Sequence, residues 1–183
     1  MRGLGNLKLY LFIICLFGFG FLLQSQETFI DNFSTEDYSR NDGTLNFADD
    51  WDEFGDNDDP SSGTIEITGG ELEFNNIDGD YIERPLDLSS SISVILTLDF
   101  DGSSRGNERL RVQLWNDNTS SFETVDTIDS NSSTGSITHI LTADQISANS
   151  AIRFRGADSN WGSGEIILVD NVQFSATLLV PND

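Results

Sequence analysis

The stretch EIILVDNVQF, residues 165–174, has the apolar and β-branched composition of a long β-strand near the C-terminus. Alternate residues of such a strand share one face, and here one parity is apolar: Ile166, Leu168, Val172 and Phe174. Asp170 falls on that same face. A buried carboxylate costs free energy unless it is paired, hydrogen-bonded or bound to a metal. The stretch therefore predicts a core strand that carries one inward acid.

The segment FIDNF, residues 29–33, repeats this pattern, with Phe29 and Phe33 flanking Asp31 on one face. The first and last strands of an antiparallel sandwich are often neighbours, which would bring Asp31 close to Asp170. Two carboxylates that close do not both stay ionised without a cation. Ca²⁺ binds oxygen ligands and would satisfy both.

We therefore predict a structural calcium site built on Asp31 and Asp170, with Glu53, Asp56 or a backbone carbonyl completing the shell. The alternative is that Asp170 hydrogen-bonds neighbouring backbone without a metal. The acidic run 49–59 is dense in oxygen ligands but lacks the EF-hand spacing. Most of that run is predicted to be a solvated loop, with Trp51 and Phe54 anchoring it to the core.

The N-terminus predicts export. Arg2 and Lys8 precede an apolar run from residue 9 to 23, and polar residues 24–26 follow, which together are typical of a secretory signal peptide at 1–26. The alternative is a membrane anchor that stays attached, although the run is short for a span. The single cysteine, Cys15, lies inside this run. The mature domain is thus predicted to be secreted or on the cell surface, away from the membrane and without disulfides.

The chain is strongly acidic, with 31 Asp and Glu against 9 Lys and Arg and a formal net charge of −22. Such a field repels nucleic acid and anionic membrane surfaces and favours cations. We therefore predict no nucleic-acid partner. The simplest explanation of the charge is solubility in salty surroundings, and a calcium-rich extracellular medium fits as well.

Between residues 28 and 174, short strand-like runs alternate with polar turns, with no long helical period. In the run 109–114 apolar and polar residues alternate clearly, with Leu110, Val112 and Leu114 opposite Arg109, Arg111 and Gln113. About ten strands and one short helical turn near 142–148 predict an all-β, antiparallel two-sheet jelly-roll sandwich. We assign this domain to residues 27–178. The tail 179–183 ends abruptly after Pro181, which indicates the N-terminal piece of a longer protein.

Several short motifs, taken in order, resemble a jelly-roll domain of secreted bacterial surface proteins: DNF at 31–33, NDGT at 41–44, WDE at 51–53, GD at 55–56, IEI at 65–67, YIER at 81–84, LDLS at 86–89, LTLDF at 96–100, IRFR at 152–155 and VDNV at 169–172. The group is similar to calcium-stabilised carbohydrate-binding modules and to MAM-type adhesion domains. The resemblance implies calcium binding by Asp170 and Asp31. It also has a departure, since the segment LWNDN at 114–118 replaces the usual Ser-Asp-Gly-Gly turn before a tryptophan. Loop contacts are therefore not carried over.

Sugar binding would need an exposed aromatic platform beside polar groups. Trp161 is the first candidate, because it lies in the Gly/Ser/Asn-rich loop 156–164. The second choices are two more aromatics and two hydrogen-bond donors on predicted solvent faces: Trp115, Tyr81, Arg111 and Arg153. The alternative is that these aromatics pack at the ends of the sandwich.

No nucleophile elbow, metalloprotease motif or phosphate loop is present in the sequence. His139, the single histidine, alternates with isoleucines and is predicted to point outward. We therefore predict a non-catalytic binding or adhesion module for a glycan or cell-surface ligand, and no enzyme. A structural spacer in a larger bacterial surface protein is the main alternative. A polysaccharide-active enzyme is the third, and it would need two carboxylates at a defined separation. An aromatic groove beside Trp161 would favour binding over spacing.

Overall fold

The computed structural model describes residues 24–102, 106–131, 134–157, 161 and 164–179. This part of the chain forms β-strands and one 3-10 helix, Ala143–Gln145, inside the segment where a helical turn is predicted. The strands are β1 (Gln24–Asp31), β2 (Asp52–Phe54), β3 (Ile65–Thr68), β4 (Glu71–Asn75), β5 (Tyr81–Pro85), β6 (Ser91–Asp101), β7 (Arg109–Asn116), β8 (Ser121–Asp129), β9 (Gly135–Ile140), β10 (Ala151–Gly156) and β11 (Ile166–Leu179).

The strands pair into two antiparallel sheets. Sheet A has six strands in the order β3-β4-β11-β6-β9, and β1 also pairs with β11. Sheet B has five strands in the order β2-β5-β10-β7-β8. The prediction of an all-β, antiparallel two-sheet sandwich is confirmed.

Apolar and polar residues alternate along the strands, so that one face lies against the core and the other faces solvent. In β7 the residues Leu110, Val112 and Leu114 are buried, as the sequence predicts. A hairpin joins β3 to β4 through Gly69 and Gly70, whose φ angles of 63° and 89° suit the tight turn of a two-residue loop. Local sequence pattern and fold agree in these strands.

Aromatic rings join the two sheets through the core. Phe74 of β4 contacts Phe154 of β10 with ring centroids 5.8 Å apart, and Trp51 lies 5.8 Å from Phe154 on another side. Such ring pairs stabilise a fold by about 0.5–1.5 kcal/mol beyond their buried area. Trp51 is buried, which confirms the prediction that it anchors the acidic loop.

The last strand pairs with the first one, as predicted, and Asp31 lies opposite Val172. The predicted faces of β11 are wrong, however. The pairing of β11 with β6 is irregular between Asp170 and Gln173, and Asn171 between them has a left-handed φ of 51°. This is the geometry of a β-bulge, in which one extra residue interrupts the alternation of side chains.

Because of the bulge, inward and outward positions exchange along β11. Ile167 and Val169 are buried before it, and Val172 and Phe174 are buried after it. Asp170 lies next to the bulge on the outer face of sheet A, opposite Asp99 of β6. The prediction that Asp170 shares the core face with Val172 and Phe174 is therefore wrong.

The predicted signal peptide falls mostly outside the described residues, which begin at Gln24. Pairing of β1 with β11 extends from Gln24 to Asp31 and thus includes three residues assigned to the signal. The tail 180–183 also lies outside the described residues. No helix in the described part of the chain has the length and apolar character needed to cross a membrane.

Candidate functional site

The outer face of sheet B carries aromatic rings and arginines in rows that the strand register defines. The first row crosses all five strands: Phe54, Tyr81, Arg155, Arg111 and Thr127. The second row crosses them one pleat away: Asp52, Glu83, Arg153, Gln113 and Thr124. We call this surface the sheet B face. With neighbouring strands about 4.8 Å apart, it is roughly 19 Å wide.

The aromatic end of the sheet B face is a stacked pair. The rings of Phe54 and Tyr81 lie 4.9 Å apart with an interplanar angle of 12°. Phe54 is 64% exposed, although it belongs to a chain whose other aromatic side chains are mostly covered. A large exposed ring held in a fixed stack presents a flat apolar surface to solvent, which is a feature of ligand-binding surfaces. The prediction that Phe54 anchors its loop to the core is wrong.

Arg153 lies next to the stacked pair on the sheet B face. Its guanidinium carbon lies 4.0 Å from the ring centre of Tyr81 and 3.6 Å from that of Phe122. Glu83 Oε2 accepts hydrogen bonds from Arg153 Nε at 2.8 Å and Nη2 at 2.5 Å. Phe122 in turn meets Trp115 edge to face, with centroids 5.4 Å apart. Contacts between rings and a guanidinium thus run without a break from Phe54 to Trp115.

Two further arginines occupy the centre of the first row. Arg155 and Arg111 are register partners on β10 and β7. Arg155 Nε donates to Gly79 O at 3.2 Å, and Arg111 Nη2 makes a long contact of 3.5 Å with Ala157 O. A guanidinium has five N–H donors, so most donors of each side chain stay available for other acceptors.

A cleft of about 510 Å³ adjoins the β2 and β5 side of the sheet B face, and its lining includes Asp52 and Glu83 of the second row. Most of its other polar residues are also acidic: Asp37, Asp49, Asp50 and Asp58. The surface therefore changes from acidic at this edge to cationic at Arg155 and Arg111.

The acid predicted to bind calcium, Asp31 of β1 in sheet A, lies in the core against the inner face of sheet B. Asp31 is fully buried and accepts hydrogen bonds from Arg84 Nη1 at 2.6 Å, Trp51 Nε1 at 2.9 Å and the backbone N–H of Phe33 at 3.0 Å. Burial raises the pKa of Asp31, while the two hydrogen bonds from Phe33 and Trp51 and the charge of Arg84 act against that rise. The positive charge beside Asp31 thus belongs to Arg84.

Asp170 occupies a different place, on the outer face of sheet A. Asn171 Nδ2 donates to Asp170 Oδ2 and to Asp99 Oδ2, both at 3.0 Å. Burial and the charge of Asp99 raise the pKa of Asp170, against a hydrogen bond from the Asn171 backbone. This is the hydrogen-bonded alternative considered for Asp170, although its neighbour Asp99 is also acidic.

Glu53 and Asp56 hold the acidic loop. Glu53 accepts hydrogen bonds from the Tyr38 hydroxyl and from the backbone N–H of Asp58, the latter at 2.7 Å, and burial raises its pKa. Asp56 Oδ2 accepts from two backbone N–H groups of β3 and the residue before it. The structure does not bring the predicted ligands Asp31, Asp170, Glu53 and Asp56 together. Among the described residues, no group of three His, Cys, Asp or Glu side chains is arranged for a metal ion, and calcium stays a prediction.

Four of the five predicted ligand-binding residues lie on the sheet B face: Tyr81, Trp115, Arg111 and Arg153. The fifth, Trp161, is 4% exposed. Its indole N–H donates to Glu165 O at 2.6 Å, and its backbone N–H donates to Asp78 Oδ1 at 2.8 Å. The prediction that Trp161 forms an exposed platform is therefore wrong, and the packing alternative holds for it.

Sequence reasoning missed Phe54 and Arg155 as part of this surface. Arg155 has the same parity as Arg153 in the predicted strand, so alternation alone would have included it. Phe54 gave no such signal, because β2 has only three residues and its outward face depends on pairing with Tyr81.

No protein-family model matches the chain, and no curated protein matches it. Among solved structures, family 29 carbohydrate-binding modules are similar in fold. A mutant of such a module, made to probe ligand recognition, aligns with a TM-score of 0.51 at 17% identity over 84% of this chain and 92% of that chain. Another structure of a family 29 module aligns with a TM-score of 0.50 at 18% identity over 84% of this chain and 90% of that one.

These similarities show the fold: the chain is a β-sandwich of the kind found in carbohydrate-binding modules. This agrees with the resemblance to such modules seen in the short motifs. The more specific resemblances to MAM-type adhesion domains and to bacterial surface proteins stay predictions.

Proposed function

We propose that this protein is a non-catalytic carbohydrate-binding module that binds a glycan on the sheet B face. The observation that carries the proposal is the unbroken row of ring and guanidinium contacts, exposed at Phe54, that crosses all five strands of sheet B. The fold shared with carbohydrate-binding modules supports it.

The chemistry of the face suits a sugar chain. A pyranose ring has a face of C–H groups and a rim of hydroxyls, so it needs a flat apolar surface with hydrogen-bonding groups beside it. Phe54 and Tyr81 supply the flat surface, and aromatic rings give large contact area at little entropic cost. Glu83 lies beside Arg153 in the second row, where its carboxylate can accept hydrogen bonds from sugar hydroxyls.

Binding should be measured by isothermal titration of the purified protein with glucomannan, xylan and polygalacturonate. We expect binding to at least one of them, and we expect Phe54→Ala to weaken that binding at least tenfold, because it removes the most exposed ring of the stacked pair. Truncation of an aromatic residue that anchors a ligand commonly has an effect of this size.

The matched control is Ile140→Ala. Ile140 is 69% exposed and lies on β9 of sheet A, so it loses an exposed apolar side chain on the opposite side of the molecule. This variant should bind as the wild type does. If no polysaccharide binds, or if both variants bind equally well, the proposal is wrong and the spacer alternative gains.

Secretion through the segment 1–26, and a role in binding or adhesion at a bacterial surface, belong to this proposal as well. The strongly acidic composition and the predicted export signal support them. A fluorescent or epitope fusion at the C-terminus of the chain, followed by cell fractionation, would locate the protein.

A further inference from the structure

Arginines are unevenly distributed over this protein. The whole chain has 9 basic residues against 31 acidic ones, yet Arg109, Arg111, Arg153 and Arg155 all lie on the outer face of sheet B. Their position on two neighbouring strands, β7 and β10, concentrates positive charge on the middle of one sheet. Elsewhere the described surface is dominated by carboxylates.

The pairing of Arg111 with Arg155 is the unusual feature of this cluster. Residues directly opposite on antiparallel strands have Cβ atoms about 5 Å apart, and like charges there are destabilising. In the described part of the chain neither Arg111 nor Arg155 forms an ion pair, whereas Arg40, Arg84 and Arg153 each pair with a carboxylate. Although the chain is rich in acids, Arg111 and Arg155 are thus cross-strand neighbours without an acid among the described residues that pairs with either of them.

We infer that the ligand of the sheet B face is an acidic polysaccharide, whose carboxylate or sulfate group is bound between Arg111 and Arg155. This inference rests on the proposed glycan-binding function and names its ligand class. Two guanidinium groups at this spacing suit one anionic group with several acceptor oxygens, since each forms paired N–H···O bonds of fixed geometry. The neighbouring Tyr81 and Phe54 then receive an adjacent sugar ring of the same chain.

The net charge of −22 opposes any polyanion at long range. That repulsion is screened beyond about 8 Å at physiological ionic strength, whereas contacts inside the face are screened much less. The acidic surroundings therefore reject polyanions everywhere except where arginines touch the ligand. The acidic cleft at the β2 edge would repel the anionic group and so direct it toward the centre of the first row, where Arg155 and Arg111 lie.

The experiment compares two matched pairs of polysaccharides in a chelating buffer, so that no calcium bridge joins the acidic protein to an anionic chain. One pair is polygalacturonate and its methyl ester, and the other is dextran sulfate and dextran. We expect the wild type to bind the charged member of at least one pair at least tenfold more tightly than the neutral member. The first pair detects carboxylated ligands, and the second detects sulfated ones.

The variants are Arg111→Gln and Arg155→Gln, alone and together, and the matched control is Arg40→Gln. Arg40 is an exposed arginine outside the strands of sheet B that pairs with Asp42, and its replacement changes the net charge by one unit, as each single variant does. We expect the preference for the charged member to fall at least tenfold in the double variant and to persist in Arg40→Gln. Thermal unfolding should show no loss of stability in the double variant, because a like-charge pair has been removed.

A wild type that binds both members of each pair equally, or a preference that survives in the double variant, would overturn this inference. The proposed function would still stand if Phe54→Ala weakened binding to any polysaccharide in those same measurements. Absence of all polysaccharide binding would instead overturn the proposed function itself.

Discussion

Each face of sheet B presents an arginine that contacts a carboxylate and two aromatic rings. On the inner face Arg84 contacts Asp31 at 2.6 Å, and its guanidinium carbon lies 4.1 Å from the ring centre of Phe47 and 5.7 Å from that of Trp51. Both members of this ion pair are fully buried.

On the outer face Arg153 has the same kinds of neighbour, Glu83, Tyr81 and Phe122, at similar distances. Its ion pair differs in exposure, with 16% of the arginine side chain and 31% of the glutamate side chain accessible. Both groups include a residue of β5, since Glu83 belongs to the outer group and the next residue, Arg84, belongs to the inner one.

Burial decides what such a group of an arginine, a carboxylate and two rings does. Inside, solvent cannot replace a lost partner, so each member of the pair depends on the other. Outside, water or a ligand can take the place of Glu83, so Arg153 can change partners at little cost. The inner group therefore holds the two sheets in place, and the outer group is available for binding.

The largest expected effect tests the inner group. Asp31→Ala leaves the Arg84 charge buried without its partner and also leaves the Trp51 indole N–H without its acceptor. Removing one partner of a buried pair costs about 3–5 kcal/mol. The free energy of unfolding, measured in urea, should fall by this amount.

The matched control for that measurement is Asp170→Ala, an aspartate on the neighbouring strand that lies on the outer face of sheet A. It should unfold within about 1 kcal/mol of wild type, as surface substitutions usually do. Similar losses in the two variants would show that burial is not what separates them. A loss for Asp170→Ala only when calcium is present would favour the predicted calcium site.

Asp31 also shows how much of a buried site can be predicted from the sequence. An acid flanked by Phe29 and Phe33 must be buried with a partner, and this follows from alternation and desolvation alone. The partner itself does not follow, because Arg84 comes from a strand of the other sheet that only the folded chain brings near. The sequence predicts calcium because alternation assigns Asp170 to the core face beside Asp31, and nothing in either strand indicates Arg84.

On the outer face of sheet B, residues of the central strands are easier to predict from the sequence than residues at the edges. Arg111, Arg153 and Tyr81 lie on regular strands, where alternation alone assigns them to solvent. On sheet A, Asn171 adopts a left-handed backbone conformation and so reverses the alternation of β11. Asparagine tolerates this conformation, but its presence in a sequence does not predict it. Trp161 follows no strand pattern, so its burial depends on packing that local sequence does not encode.

A smaller effect should appear in the pH dependence of Arg84→Met. The charge of Arg84 lowers the pKa of Asp31, so without the arginine burial raises that pKa further. A carboxyl whose folded pKa is raised contributes stability below its unfolded pKa and loses it as the pH rises through the folded pKa. The variant should therefore gain stability on acidification from pH 7 to 5, relative to wild type, by up to about 1.4 kcal/mol per pH unit.

This measurement needs the wild type as its reference, because other carboxyls with raised pKa values, such as Glu53 and Asp170, titrate in both proteins. Arginine stays charged throughout this range, so Asp31→Ala has no corresponding way to relieve its buried charge. Equal pH profiles for Arg84→Met and wild type would mean that Asp31 reaches solvent when Arg84 is absent.

The smallest expected effect concerns the outer group. A double-mutant cycle of Glu83→Gln and Arg153→Met should give a coupling of about 0.2–1 kcal/mol at low salt, as exposed ion pairs do. The coupling should shrink further in 1 M salt, where the Debye length is about 3 Å. A coupling above about 3 kcal/mol would place this pair with Asp31 and Arg84, despite the exposure of its side chains. In that case Arg153 would be locked to Glu83, and a glycan would have to bind beside the pair, because it could not replace Glu83. A weak coupling means that the arginine is held in position chiefly by Tyr81 and Phe122, with its donors ready for a ligand.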